Sequence, residues 1–206
     1  MKRLILDAGG VLFSENFREY LGGLAETHGC DRDQFVTFYN SGPRNRLWRG
    51  EESLTAFWDE IAHELGLATA PPEFDEQAAA LFEPLEALAR LPDWSRRSEL
   101  WLLSNHRHEW LRPMLSQYGV VFANELISSE LGAMKPEPAI FRGLLTGDPE
   151  AILFVDDRQD NLDAAVAVTG PRLETLLADS GGRWLVAVER WLSDEIHWRD
   201  FASPEN

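Results

Sequence analysis

The stretch Leu4-Ile5-Leu6-Asp7-Ala8-Gly9-Gly10-Val11-Leu12-Phe13 decides how this chain is read. It is apolar and uncharged up to Asp7, passes two glycines and becomes apolar again. A short apolar run of this kind suits a buried parallel strand that ends in a tight turn. Asp7 would then stand at the strand's carboxyl end, where open α/β sheets bind ligands. Gly9 and Gly10 would let the backbone approach a ligand closely. Asp7 is therefore a candidate nucleophile or metal ligand. Taken alone, it is equally well read as an Asp bonded to its own turn.

Beyond Phe13 the pattern turns helical. Phe17, Tyr20, Leu21 and Leu24 have helical spacing, a second helix is expected around residues 33–39, and a third runs from Ser53 to Leu65 with Gly66 as its stop. Residues 75–90 read as a fourth helix that Pro84 should kink or split. Strand signals return at Leu100-Trp101-Leu102-Leu103, which ends in Ser104-Asn105. A helix through Tyr118 follows. Residues 120–122 and 125–128 are short extended candidates, and a loop at residues 132–138 opens a helix over residues 139–145. Ala151-Ile152-Leu153-Phe154-Val155 is a strong strand signal ending in Asp156-Asp157, with a helix expected over residues 161–168. Residues 173–177 fit a last strand almost as well as a helix. Residues 184–191 are an amphipathic helix, and the tail from Arg199 is expected to be loose. Strands alternating with helices imply a doubly wound, mainly parallel, Rossmann-like α/β sheet. The expected core is 1–14 and 90–206, with 15–89 inserted as a helical cap.

With 206 residues and 44% hydrophobic content, the chain can bury a full core. Its single cysteine, Cys30, excludes a disulfide framework and a cysteine-based zinc site. No apolar run reaches membrane-spanning length and no signal-peptide segment opens the chain, so a soluble cytoplasmic protein with no membrane partner is expected. A formal net charge of −16 argues against a nucleic-acid partner. The same charge would repel an anionic substrate unless a divalent cation reversed the local sign. Of the 19 basic residues only Lys2 and Lys135 are lysines, so the internal Lys135 asks for an explanation.

Four positions therefore stand out: Asp7, Ser104-Asn105, Lys135 and Asp156-Asp157. Each has a bland reading, as a helix cap, a solvated loop lysine or a turn. As a set they are coherent. Carboxylates could hold Mg²⁺, which keeps open positions for phosphate oxygens, and a hydroxyl and a lysine could bind the oxygens that remain.

These segments resemble the haloacid dehalogenase-like hydrolase superfamily over essentially the whole chain. The matching motifs are DAGGVLF, the Ser104 of LLSN, Lys135 in GAMKPEPAIF, and VDDRQDN. The KPEPAIF and FVDD segments are similar to the phosphatase-like branch whose small helical cap follows the first motif. The resemblance implies a Mg²⁺-dependent phosphatase of small phosphorylated metabolites. In it Asp7 would take up the phosphoryl group, while Asp7, the Gly9 carbonyl and Asp156 would bind the metal, supported by Asp157. Ser104, Asn105 and Lys135 would grip the phosphoryl oxygens, and Asn161 would have a lesser polar role.

One position departs from the pattern. Phosphatases of this family usually carry a second Asp two residues after the nucleophile, as general acid and base, and here that residue is Gly9. Loss of such a group costs on the order of 10²–10⁴-fold in rate. Three readings stay open: a phosphatase with another base, for which His106 and His108 are conceivable; a metal-independent 2-haloacid dehalogenase; and a module that binds metal and phosphate without turnover. Within the insertion, the loop-like SGPRNRLWRGEE region offers Arg44, Arg46, Arg49 and Trp48, with Tyr39 just before it, as possible substrate contacts. The region reads slightly better as the insertion's own packing and solvated surface; the alternative is a specificity handle, tested at Arg46.

Overall fold

Four residues, Arg3–Leu6, form the central strand β1, and their side chains alternate between the two faces of the sheet they join. A computed structural model describes residues 1–14 and 16–193. After β1 come the two-residue strand β2 (Phe13–Ser14) and a run of helices: α1 (Phe17–Thr27), α2 (Arg32–Ser41), α3 (Pro43–Arg49), α4 (Leu54–Glu64) and α5 (Glu73–Ala79). Strand β3 (Glu83–Pro84) pairs antiparallel with β2 and leads into α6 (Glu86–Arg97). The sheet resumes with β4 (Glu99–Ser104), α7 (His108–Ser116), β5 (Asn124–Ile127), α8 (Ser128–Leu131) and α9 (Pro138–Phe141). It finishes with β6 (Ile152–Asp156), α10 (Gln159–Thr169), β7 (Leu173–Leu177) and α11 (Arg183–Leu192).

The five-stranded sheet has the order β5-β4-β1-β6-β7 and is parallel throughout. Chain order therefore runs outward on one side of β1, then crosses to the other. Ligands gather at such a switch point in open α/β sheets. Leu4 and Leu6 pack with α6, α7 and α11 on one face, while Ile5 packs with α9 and α10 on the other. The helices of residues 17–79 build a separate aromatic cluster around Phe17, Trp48, Phe57 and Trp58, which Trp110 and Met134 join from the sheet side. No helix among the described residues is long and apolar enough to cross a membrane.

Several local expectations change. Pro84 does split the fourth helix, because β3 is claimed by β2. The second half, α6, continues to Arg97 and buries Ala87, Leu88 and Leu91 against the sheet. Residues 120–122 form no strand, and the helix expected over 139–145 keeps only its first turn. Residues 173–177 are a strand, held along β6. The region read as loop-like is the helix α3, with Pro43 in its first turn and a left-handed Gly50 at its end. The tail from Arg199 lies outside the described residues.

Candidate active site

Asp7 follows β1 directly, and its N–H donates to the Val155 carbonyl at 3.0 Å, which pins it beside the end of β6. One carboxylate oxygen, Oδ1, accepts from the Ala8 N–H at 2.6 Å. The other, Oδ2, lies 2.7 Å from Lys135 Nζ. Lys135 also reaches Asp156 Oδ2 at 2.6 Å, so one buried ammonium ties together the ends of β1 and β6. Asn105, just past β4, fixes the lysine's backbone: Lys135 N–H donates to Asn105 Oδ1 at 2.7 Å, and Asn105 Nδ2 donates to the Lys135 carbonyl at 2.8 Å. Buried Ser104 lines the same cavity.

Asp156 is wholly buried and accepts at its other oxygen from Arg158 N–H at 2.9 Å and Asn161 Nδ2 at 2.8 Å. With Lys135 included, three donors already engage this carboxylate. Asp157 points instead toward the glycine turn. A Cβ on Gly10 would sit 2.4 Å from Asp157 Oδ2, and Gly10 holds φ at +71°, so only glycine fits this approach. Oxygens of Asp7, Asp156 and Asp157 all lie within 4.8 Å of one another.

The crowding has an electrostatic signature. Burial, with help from the charges of Asp156 and Asp157, pushes the Asp7 carboxyl up to about 7, although Lys135 opposes the shift. Asp157 is raised by burial and then by Asp156. Burial works against the charged form of Lys135, but Asp7 and Asp156 together outweigh it and raise its pKa. Three carboxylates facing one ammonium leave an excess of negative charge that a proton or a hard cation would relieve. An all-oxygen donor set of this kind fits Mg²⁺.

The structure thus brings Asp7, Gly9, Ser104, Asn105, Lys135, Asp157 and Asn161 to one cavity, with Asp156 immediately beneath it. His106 lines it too, its ring packed between Trp48 and Phe82 and its Nδ1 3.2 Å from the Arg107 carbonyl. His108 does not, being held by Ser129 Oγ at 3.2 Å outside the lining. Tyr39, Arg44, Trp48 and Arg49 reach the cavity, but Arg46 does not. Its guanidinium is committed to Glu52 and Glu60 among the helices that follow β2. Arg18 also lines the cavity and was not anticipated. Its signal was available, since a cation in a helix's first turn opposes the helix dipole.

No protein-family model matches the chain. Among solved structures it is similar to the HAD family enzyme bt-2542 from Bacteroides thetaiotaomicron in complex with magnesium and inorganic phosphate. That match has 21% identity, covers 88% of this chain and 96% of the other, and has a TM-score of 0.70. A predicted HAD-like family hydrolase from Porphyromonas gingivalis matches at 23% identity over 93% of this chain and 98% of its own, with a TM-score of 0.73. The L-2-haloacid dehalogenase PA0810 matches at 18% identity over 86% and 84%, with a TM-score of 0.59. The chain has the fold of the haloacid dehalogenase-like hydrolases.

Proposed function

We propose that this protein is a Mg²⁺-dependent phosphatase of small phosphomonoesters, with Asp7 as the nucleophile. The observation that carries the reading is the position of Asp7 at the sheet's switch point, 2.7 Å from a buried lysine and grouped with two further carboxylates. An Asp7 oxygen attacks phosphorus, the bond from phosphorus to the alcohol oxygen breaks, and the alkoxide leaves and takes its proton from solvent water. Water then attacks the phosphorus of the acyl phosphate, releasing phosphate and restoring the carboxylate.

Ala8 N–H fixes the Asp7 rotamer, and Lys135 stands where it can meet a phosphoryl oxygen while staying charged. Ser104 and Asn105 supply further polar contacts at the cavity wall. Asp7, the Gly9 carbonyl and Asp157 would hold the cation, which would supply charge neutralisation for the phosphoryl group. Asp156, already engaged by three donors, serves chiefly to hold Lys135 in place. Gly9 has no side chain to protonate the leaving alcohol. Esters whose alcohols leave readily are therefore the favoured substrates.

The second reading, a haloacid dehalogenase, draws on Gly9 and on the fold shared with an L-2-haloacid dehalogenase. The Asp156-Asp157 pair speaks against it, because attack on carbon needs no cation site. One assay separates the two: phosphate release from p-nitrophenyl phosphate with and without Mg²⁺, beside chloride release from 2-chloropropionate. Metal-dependent phosphate release is expected. Chloride release without metal would transfer the assignment to the dehalogenases. Silence on both substrates would leave the binding module.

A further inference from the structure

The cavity above Asp7 has a volume of about 810 Å³, room for a ligand much larger than a bare phosphate. Besides Lys135, four arginines line it: Arg18, Arg44, Arg49 and Arg158. Two are neutralised, Arg49 by Glu137 and Glu51, and Arg158 by Asp160. Arg18 and Arg44 have no carboxylate partner among the described residues, and the bond recorded for Arg44 is a long 3.4 Å contact to the Asn45 side chain. Glu19, the cap acid beside them, is engaged by Arg32. In a chain with 35 acidic residues against 19 basic ones, acids to pair with are plentiful, so two guanidiniums on one cavity wall with no carboxylate partner among the described residues need a reason.

Local structure adds to the positive field. Arg18 sits in the first turn of α1, where the helix dipole disfavours a cation. Asn16, the N-cap residue of that helix, makes no side-chain cap, which leaves first-turn N–H groups on a wall that Asn16 and Phe17 themselves line.

We propose that the substrate carries a second anionic group, a carboxylate or a second phosphate, which Arg18 and Arg44 of the cap bind while Asp7 and Lys135 meet the scissile phosphate. This rests on the phosphatase reading and narrows its substrate class. Planar guanidiniums suit either anion through paired hydrogen bonds.

The test is titration calorimetry in the Asp7→Asn background with Mg²⁺ present, so that ligand binds without turnover. The probes are glycerol 3-phosphate, 3-phosphoglycerate and 1,3-propanediol bisphosphate. At least one of the two probes with a second anionic group should bind about tenfold tighter than glycerol 3-phosphate, and Arg18→Gln with Arg44→Gln should remove most of that difference. Which probe gains identifies the second anion. Equal affinities for all three, or a preference that survives the double substitution, would overturn the proposal. Steady-state assays of the wild-type chain read the other question separately: arginine-dependent preference with no phosphate released from any ester would overturn the phosphatase reading alone.

Discussion

Asp7 is the residue on which site and stability meet. Its carboxyl is raised from 3.8 to about 7, chiefly by burial, so the folded chain holds a proton that the unfolded chain releases in that window. Without metal, stability should therefore fall as pH rises from about 4 to about 7, by on the order of 2–4 kcal/mol, and level off above it. Urea unfolding at pH 5 and pH 8 without divalent ions would show this, and Asp7→Asn should flatten the profile. A flat wild-type profile would mean that Asp7 is not strained. Asp7→Asn should also reduce phosphatase turnover by about 10³-fold or more while the fold stays intact. Gly10→Ala should lower Mg²⁺ affinity about tenfold or more, because a Cβ there collides with the Asp157 carboxylate. Asp7, Ser104 and Asp156 were legible in the sequence because each closes an apolar strand, while Lys135, in a loop after α8, stood out as one of only two lysines. Which of the adjacent Asp156 and Asp157 Lys135 would claim was not legible, since both close the same apolar run.

Between elements, helix α3 is held to the sheet by bonds that no sequence pattern announces. Buried Arg107 donates to the Leu47 carbonyl at 3.1 Å and the Glu52 carbonyl at 3.0 Å, and Ser128 Oγ donates to the Trp48 carbonyl. Gly50, at φ +68°, passes so near Ser129 that a Cβ would stand 2.0 Å from its carbonyl oxygen. Arg49 adds an ion pair to Glu137, two residues beyond Lys135. Arg107→Ala should leave two carbonyls short of donors and cost about 2–3 kcal/mol by urea unfolding. It should also speed proteolytic cleavage within residues 42–52, and unchanged cleavage would show that α3 is held by other contacts. The helical state of SGPRNRLWRGEE was not legible, because glycine, proline and arginines hide the burial of Leu47 and Trp48. Arg46, the arginine offered as a specificity handle, lies off the cavity. Helical phase turns it toward Glu52 and Glu60, while Arg44 and Arg49 reach the cavity.

Across the molecule, the helices of residues 17–79 and the sheet side share one aromatic cluster. Asp75 of the cap accepts from Trp58 Nε1 at 2.8 Å and from Trp110 Nε1, on the sheet side, at 2.9 Å. Asp75→Ala should leave two indole N–H groups unpaired, cost about 1–3 kcal/mol and broaden the thermal transition relative to the unsubstituted chain. A sharp, unshifted transition would show that the cap is coupled to the sheet by other means. The fold was readable at this level because apolar runs at β1, β4 and β6 each end in a polar residue, and helical periods separate them. The place of the β2-β3 ribbon was not, since two residues carry no periodicity and only their pairing defines them. The phosphoryl acceptor itself can be read directly by quenching wild-type protein with acid during turnover of p-nitrophenyl phosphate and Mg²⁺, then measuring the mass of the peptide that holds Asp7. A phosphoryl group on Asp7, absent without Mg²⁺ and absent in Asp7→Asn, is the expected result. Phosphate release that continues with that peptide unmodified and with Asp7→Asn still active would contradict Asp7 as the nucleophile.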